Sequence, residues 1–178
     1  TGGKELKGTI SVSGSKNAAT PILAATLLTP TTSTLHNIPR IEDVFRMLEI
    51  LESMGVGVEW IGEHSVQITP GNYDVATLDQ HLVKKLRSSI LLLGALSATQ
   101  DTFTVSHPGG CVIGARSVDT HMDALHKLGI AIETTEEGYQ IDARGRQSAK
   151  VVLRESSVTA TENILMVAAT LPGVTTIK

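Results

Sequence analysis

Leu86-Arg-Ser-Ser-Ile-Leu-Leu-Leu-Gly-Ala-Leu-Ser-Ala98 is an apolar segment rich in small residues, and the run Thr102–Val105 follows it after a short turn. The same succession of features appears in residues 15–35 and again in residues 158–177. Each copy is typical of an apolar helix, a turn and a strand, and recurrence at a regular spacing indicates one supersecondary unit used several times. The equivalent strand positions are 70 and 72 residues apart: Leu35, Val105 and Ile177.

A second helix pattern lies between these copies. Residues 44–54 carry apolar side chains at helical spacing and end at Gly55, and residues 118–128 end in the same way at Gly129. Period-2 runs around a turn follow each glycine, which predicts a β-hairpin. The predicted hairpin strands are residues 56–60 with 65–68, and residues 130–133 with 139–141. Each unit therefore reads strand–helix–strand–helix–hairpin, and this alternation favours an α/β fold.

The repeat divides the chain into units of about residues 15–76, 77–146 and 147–178. The third unit stops at Lys178, before a second helix and a hairpin. A unit without those elements cannot close its core as the other two do, because the apolar face of a helix needs a covering layer. We therefore expect the chain to be a fragment, or a partner to supply what is missing; a naturally shortened third unit is the alternative.

Composition restricts the classes of function. The chain has 178 residues, a net charge of −3 and no basic cluster long enough to indicate nucleic-acid binding. Its longest apolar run, residues 90–98, is too short to cross a bilayer, and no signal peptide is visible. The single cysteine excludes an internal disulfide framework and fits a reducing cytosol. No metal site is expected, since Cys111 with His107 provides too few ligands for zinc.

The loop Pro108-Gly109-Gly110-Cys111, with Arg116 shortly after it, holds the chain's most distinctive chemistry. Glycines let backbone amides approach a ligand, and the helix predicted from Val118 would present unpaired N–H groups to an anion. A thiol in such surroundings can be reactive, because nearby positive charge favours the thiolate. The alternative is a buried cysteine that acts as a small hydrophobic residue beside a tight turn. The loop alone leaves both interpretations open.

Polar or basic residues also stand at the starts of the repeated apolar helices. Lys16 and Asn17 open the first helix, Arg87 the second, and residues 156–159 the third. Charge, side-chain hydrogen bonds and the helix dipole can together bind a phosphate at such a position. The structural alternatives are a solvated lysine with an asparagine cap, a surface arginine, serine capping, and a cap formed by Asp119 after the cysteine loop. Three equivalent repeats would bring these starts to one face of the domain.

Four motifs combine these features in one order along essentially the whole chain. They are Ser13-Gly14-Ser15-Lys16-Asn17-Ala18-Ala19, Leu86-Arg87-Ser88-Ser89, Pro108-Gly109-Gly110-Cys111-Val112-Ile113-Gly114-Ala115-Arg116 and Ser157-Val158-Thr159-Ala160-Thr161-Glu162-Asn163. The combination resembles the enolpyruvyl transferase family, and within it the enzymes that act on UDP-N-acetylglucosamine. The cysteine loop separates it from the shikimate-pathway members, which lack that loop.

The resemblance implies an α/β (α+β) fold, an inside-out α/β barrel of pseudo-threefold βαβαββ repeats, here with the third repeat truncated. Family members have two such domains with the active site between them. The partner of this chain would then be the second domain of the same polypeptide. Residues 1–14 would form a strand that packs in that second domain, and residues 15–178 would be the enolpyruvyl transferase domain.

The implied reaction transfers the enolpyruvyl group of phosphoenolpyruvate to the 3-hydroxyl of UDP-N-acetylglucosamine and releases phosphate. It is the first committed step of peptidoglycan synthesis, in the cytoplasm and without a cofactor. Cys111 matches the family's general acid, a role that typically contributes about 10²–10⁴-fold in rate. Lys16, Asn17 and Arg116 match residues that bind phosphoenolpyruvate or the nucleotide phosphates. The residues that match UDP-sugar contacts are Arg87, Arg116, Ser117, Val118, Asp119, Thr120, Glu155, Ser156, Ser157 and Val158.

Some positions depart from the family pattern. Ser15, Thr20 and Thr120 replace residues that are more often alanine or leucine, which puts in doubt little beyond nucleotide affinity. By the same resemblance, the family's catalytic aspartate and further arginines would lie downstream of Lys178. Two hypotheses of different class follow: the catalytic domain of a transferase, inactive alone, or a non-catalytic UDP-sugar-binding or interaction domain of the same fold.

Overall fold

The computed structural model describes residues 2–109 and 117–178, and three units succeed one another along them. The elements of the first unit are α1 (Lys16–Ala25), a 3₁₀ turn (Thr26–Leu28), β1 (Ser33–Leu35), α2 (Glu42–Ser53), β2 (Gly57–Gly62) and β3 (Ser65–Thr69). The three strands form an antiparallel sheet of order β1-β3-β2.

The second unit repeats this plan after a further 3₁₀ turn at Val75–Thr77. Its elements are α3 (Gln80–Lys85), a 3₁₀ turn (Arg87–Leu91), α4 (Leu92–Thr99), β4 (Thr102–Ser106), α5 (Asp119–Lys127), β5 (Ala131–Thr134) and β6 (Gly138–Asp142). The sheet is again antiparallel, with the order β4-β6-β5. The third unit contributes β7 (Lys150–Val151), α6 (Val158–Ala168) and β8 (Thr176–Ile177), and β7 pairs with β8 in parallel.

Local sequence explains where α2 begins and ends. Glu42 and Asp43 occupy its first turn, where negative charge is favoured by the helix dipole. Val44 and Met47 are fully buried on one face, as the helical spacing of apolar residues predicts. Gly55 follows the helix with φ +86, a left-handed conformation that glycine adopts without strain.

The three apolar helices α1, α4 and α6 contact one another. The closest approach joins α4 and α6 at Gly94, where a Cβ would lie 2.5 Å from the Asn163 Cα. Asn163 Oδ1 accepts from the Gly94 amide at 3.0 Å, and Asn163 Nδ2 donates to the Ile90 carbonyl at 3.1 Å. The asparagine is 1% exposed, so its amide is satisfied wholly within the protein. This contact fixes the spacing of the second and third units.

The structure confirms the predicted helices and hairpins. It differs from the prediction at the first element of the first and second units, where a strand was expected. Residues 2–15 lie in no helix or strand, so the strand predicted within residues 1–14 is not formed; its packing in a second domain stays a prediction. The second unit leads with α3 rather than a strand. The helix predicted from Leu86 is 3₁₀ in its first turn. Across the described ranges, every helix is too short or too polar to cross a membrane.

Candidate functional site

Two hydrogen bonds between side chains join the starts of α5 and α6. The Thr120 hydroxyl donates to Glu155 Oε1 at 2.9 Å. One residue further along α5, His121 Nε2 lies 2.8 Å from the Thr159 hydroxyl oxygen. Thr120 and His121 are 7% and 5% exposed, so the α5 side of each bond is buried. Two segments predicted separately to contact a UDP-sugar are thereby brought together, and we call them the α5–α6 junction.

Arg87 acts on this junction from the second unit. The pKa of His121 is lowered from 6.5 to about 4, mainly by burial and then by the positive charge of Arg87, while the Val118 carbonyl and Glu155 oppose the shift. Burial raises the pKa of Tyr139, and Arg87 opposes that change. The guanidinium therefore acts electrostatically on both rings. The imidazole is neutral at pH 7.

Gly109 brings the start of the cysteine loop to the residue that precedes Arg87. Its amide lies 3.3 Å from the carbonyl oxygens of Val83 and Leu86. A Cβ at this position would lie 2.6 Å from the Lys84 carbonyl oxygen, so a larger residue would displace backbone. The described chain therefore enters the loop beside the element that carries Arg87.

Lys16 and Asn17 begin α1 on the surface. The Lys16 ammonium lies 2.8 Å from Asp43 Oδ2 in the first turn of α2. A Cβ on Gly14 would overlap the Asn37 carbonyl oxygen, so glycine lets the chain enter α1 against the β1–α2 loop. Exposed ion pairs contribute only about 0–1 kcal/mol, so Lys16 can exchange this carboxylate for a phosphate at little cost.

Backbone capping accounts for some of the predicted residues. Ser157 Oγ accepts from the Ala160 amide at 3.3 Å, which confirms the capping role of this serine. The capping alternative for Asp119 is wrong, because Asp119 is the first residue of α5 and Val118 precedes it. The Asp119 amide instead donates to Ser117 Oγ at 3.0 Å. The Asp119 side chain is left at the helix start, where a carboxylate is favoured by the dipole.

An open groove of about 790 Å³ runs along the start of α6. Its lining includes polar residues, among them Glu155 and Ser156, and apolar residues, among them Val158, Leu165 and Ile177. A groove of this volume is within the range of small-molecule sites, and its mixed lining suits a ligand with charged and apolar parts. The predicted residues Glu155, Ser156 and Val158 thus lie on one accessible surface.

The predicted site residues fall into two groups in the structure. Arg87 and the predicted residues at the starts of α5 and α6 belong to the junction, whereas Lys16 is paired with the start of α2. Cys111 and Arg116 lie outside the described residues. Within residues 2–109 and 117–178, no group of three histidine, cysteine or acidic side chains is placed to hold a metal ion.

Two residues of the junction were not identified from the sequence. No role was predicted for His121, and Thr159 was predicted only as part of a helix start. The two are 38 residues apart and form no motif. The available signal was their equivalent place in the first turn of a helix, which does not reveal that the two helix starts touch.

Comparison with known proteins gives a family match over the full chain. Residues 1–178 match the model of EPSP synthase (3-phosphoshikimate 1-carboxyvinyltransferase). A relative from Wolinella succinogenes, named UDP-N-acetylglucosamine 1-carboxyvinyltransferase, is 40% identical over 99% of this chain and 42% of its own length. A Helicobacter pylori relative of the same name is 43% identical over 97% of this chain and 41% of its own length. The chain thus spans well under half of these curated relatives.

Solved structures show the same fold at lower identity. The enolpyruvyl transferase NikO from Streptomyces tendae superposes with a TM-score of 0.78 at 21% identity, over 99% of this chain and 42% of that protein. EPSP synthase from Acinetobacter baumannii superposes with a TM-score of 0.73 at 22% identity, over 99% of this chain and 41% of that protein. Similarity at this level supports the architecture alone.

Proposed function

Because the chain belongs to the EPSP synthase (3-phosphoshikimate 1-carboxyvinyltransferase) family, we propose that it is part of an enzyme that transfers the enolpyruvyl group of phosphoenolpyruvate to UDP-N-acetylglucosamine. The observation that carries the proposal is the identity to relatives named for this reaction, along almost the whole chain. It favours the enzyme over a non-catalytic UDP-sugar-binding or interaction domain, because those relatives are named as transferases.

The proposed reaction sets clear demands on the site. The sugar 3-hydroxyl oxygen bonds to C2 of phosphoenolpyruvate while a proton adds to C3, which gives a tetrahedral intermediate. Loss of a proton from C3 and cleavage of the bond between C2 and the phosphate oxygen then release the enolpyruvyl ether and phosphate. The chemistry therefore needs a proton donor facing C3, a base for the hydroxyl, and fixed positive groups around the phosphate.

We assign the proton donor to Cys111 and the phosphate of phosphoenolpyruvate to Lys16, Asn17 and Arg116, following the family resemblance. The exposed start of α1 supports this assignment for Lys16 and Asn17, because backbone amides and a lysine converge at a helix N-terminus. The weak ion pair with Asp43 also keeps the lysine ammonium available at the surface.

We assign the UDP-sugar to the α5–α6 junction and the adjoining groove. Arg87 provides fixed positive charge for the diphosphate, a group that arginine binds well through paired donors. Exposed Ser156 and Val158 lie where ligand atoms can approach the start of α6. On the α5 side the assignment covers residues 117–120, of which Ser117 and Asp119 are exposed.

The finer features of the resemblance are proposals of the same kind. We take the three units to form an inside-out α/β barrel, with the third repeat completed elsewhere in a longer polypeptide; the mutual contacts of α1, α4 and α6 support this arrangement. A second domain of that polypeptide, a cytoplasmic location, a role in peptidoglycan synthesis and so in cell shape and division, and sensitivity to fosfomycin-type epoxides rest on the resemblance alone.

Calorimetric titration of the chain with UDP-N-acetylglucosamine tests the proposed substrate. We expect saturable binding that Arg87→Ala weakens at least about tenfold, since a hydrogen bond to a charged group contributes about 1.5–3 kcal/mol. Arg144→Ala is the matched control, because that arginine is exposed and pairs with Asp142 in another part of the molecule. Binding of shikimate 3-phosphate in preference to the UDP-sugar, or equal effects of the two substitutions, would contradict the proposal.

A further inference from the structure

His121 occupies an unusual position for a histidine that takes no part in the proposed chemistry. It is 5% exposed, and its Nε2 is paired with Thr159 from another unit. Its Nδ1 is buried and has no hydrogen-bond partner among the described residues, and the Val118 carbonyl favours the protonated form of the ring. A buried polar atom without a good partner costs stability, so its retention calls for a functional reason.

The two bonds of the junction differ in how firmly they hold. Glu155 is exposed, so water competes for the carboxylate that Thr120 contacts. The pair of His121 and Thr159 is shielded on its histidine side, where a hydrogen bond is less readily replaced by water. The second pair is therefore the better shielded of the two contacts between the starts of α5 and α6.

The surrounding charges are consistent with a neutral ring. Arg87 approaches from the second unit and Glu155 from the start of α6, and their effects on the ring are opposite in sign. A neutral imidazole carries one proton, and when that proton is on Nδ1 the Nε2 atom accepts from the Thr159 hydroxyl.

We propose that His121 is a positioning residue for the UDP-sugar site, which holds the two ligand-contacting helix starts in register through its bond to Thr159. The inference rests on the proposed function, because it assumes that residues 117–120 and 155–158 bind one ligand. Loss of the bond lets the two segments move apart without removing any group that touches the ligand.

Thr159→Val tests the bond directly, since valine keeps the shape of threonine and removes the hydroxyl. We expect UDP-N-acetylglucosamine to bind about 3- to 10-fold more weakly, as the loss of one hydrogen bond allows. Thr159→Ser retains a hydroxyl and restores affinity to within about twofold of the parent chain. Thr34→Val in exposed β1 is the matched control and leaves affinity unchanged. Equal affinity of Thr159→Val and the parent chain overturns the inference.

A ligand-free measurement separates this inference from the proposed function. Hydrogen exchange is measured in the parent chain and in Thr159→Val, and the exchange rates of the backbone amides in residues 119–122 and 157–160 are compared. Faster exchange confined to these segments in the valine variant supports the positioning role, and unchanged exchange overturns it. If the parent chain binds no UDP-sugar, the proposed function fails for this chain, and the exchange result still decides whether His121 joins the two helix starts.

Discussion

At the scale of single residues, the burial of His121 makes the free energy of unfolding depend on pH. Its pKa is lowered to about 4 in the folded chain, so between pH 6.5 and 4 the unfolded chain binds more protons there. Stability from this residue is therefore lost as pH falls. We expect roughly 2 kcal/mol of loss between pH 7 and 5 from this group alone. Urea unfolding at both pH values should show that His121→Gln loses correspondingly less than the parent chain; equal losses would exclude the low pKa.

Cys111 carries the sharpest prediction about the reaction. In the longer polypeptide that contains this chain, Cys111→Ala should reduce phosphate release by at least about 10²-fold, because a positioned proton donor is lost. Cys111→Asp should retain part of the rate, since a carboxylic acid also donates a proton. Both variants should melt within a few degrees of the parent, and a normal rate in the alanine variant would show that another group protonates C3.

At the scale of elements, the contact of α4 with α6 depends on the absence of a side chain at Gly94. Gly94→Ala places a Cβ 2.5 Å from Asn163 Cα and displaces the asparagine, whose side chain bonds to Gly94 in α4 and to Ile90 in the preceding 3₁₀ turn. We expect a loss of about 1–3 kcal/mol in the free energy of unfolding, as overpacking typically costs. Chemical denaturation measures it.

Gly62→Ala provides the control for that substitution. The nearest atom to its Cβ is 3.6 Å away, an ordinary contact, so the change should be small. In a helix, alanine is ordinarily more favourable than glycine by about 1 kcal/mol. A Gly94→Ala variant that is more stable than the parent would therefore mean that α6 shifts away without cost.

At the scale of the whole molecule, the chain alone should be catalytically inactive. By the family resemblance, the catalytic aspartate and further arginines are not among its 178 residues. With phosphoenolpyruvate and UDP-N-acetylglucosamine, phosphate release by the chain should not exceed background, whereas the longer polypeptide should turn over. Release well above background by the chain alone would show that half of the proposed site suffices.

The protection of backbone amides should also differ along the chain. Residues 2–13 are exposed and lie in no helix or strand, whereas residues 92–98 of α4 are all buried. We expect exchange within seconds to minutes in the first segment and the slowest exchange in α4, because buried core helices open only with global unfolding. Slow exchange in residues 2–13 would mean that this segment is held by another surface, for example in a dimer.

The amino-acid sequence was sufficient for the elements whose signals are local. The apolar spacing of α2, its stop at Gly55 and the strand Thr102–Ser106 could all be predicted, because side-chain periodicity and glycine conformation act within a few residues. Helix α3 was not predicted, since six residues are too few for clear periodicity and only the Asp79 cap marks its start. The strand predicted within residues 1–14 is absent from the structure. Local sequence could not show this, because a strand is stable only when another strand pairs with it.

The tertiary structure alone determined which side chains meet. Thr120 and Glu155 are 35 residues apart, and Gly94 and Asn163 are 69 apart, so neither contact leaves a periodic pattern in the chain. The repeat predicted that Arg87 and residues 155–158 share a face, but whether they touch depends on how α5 and α6 pack. Hydrogen bonds require distances near 3 Å, and only the packed core places atoms of the second and third units that close together.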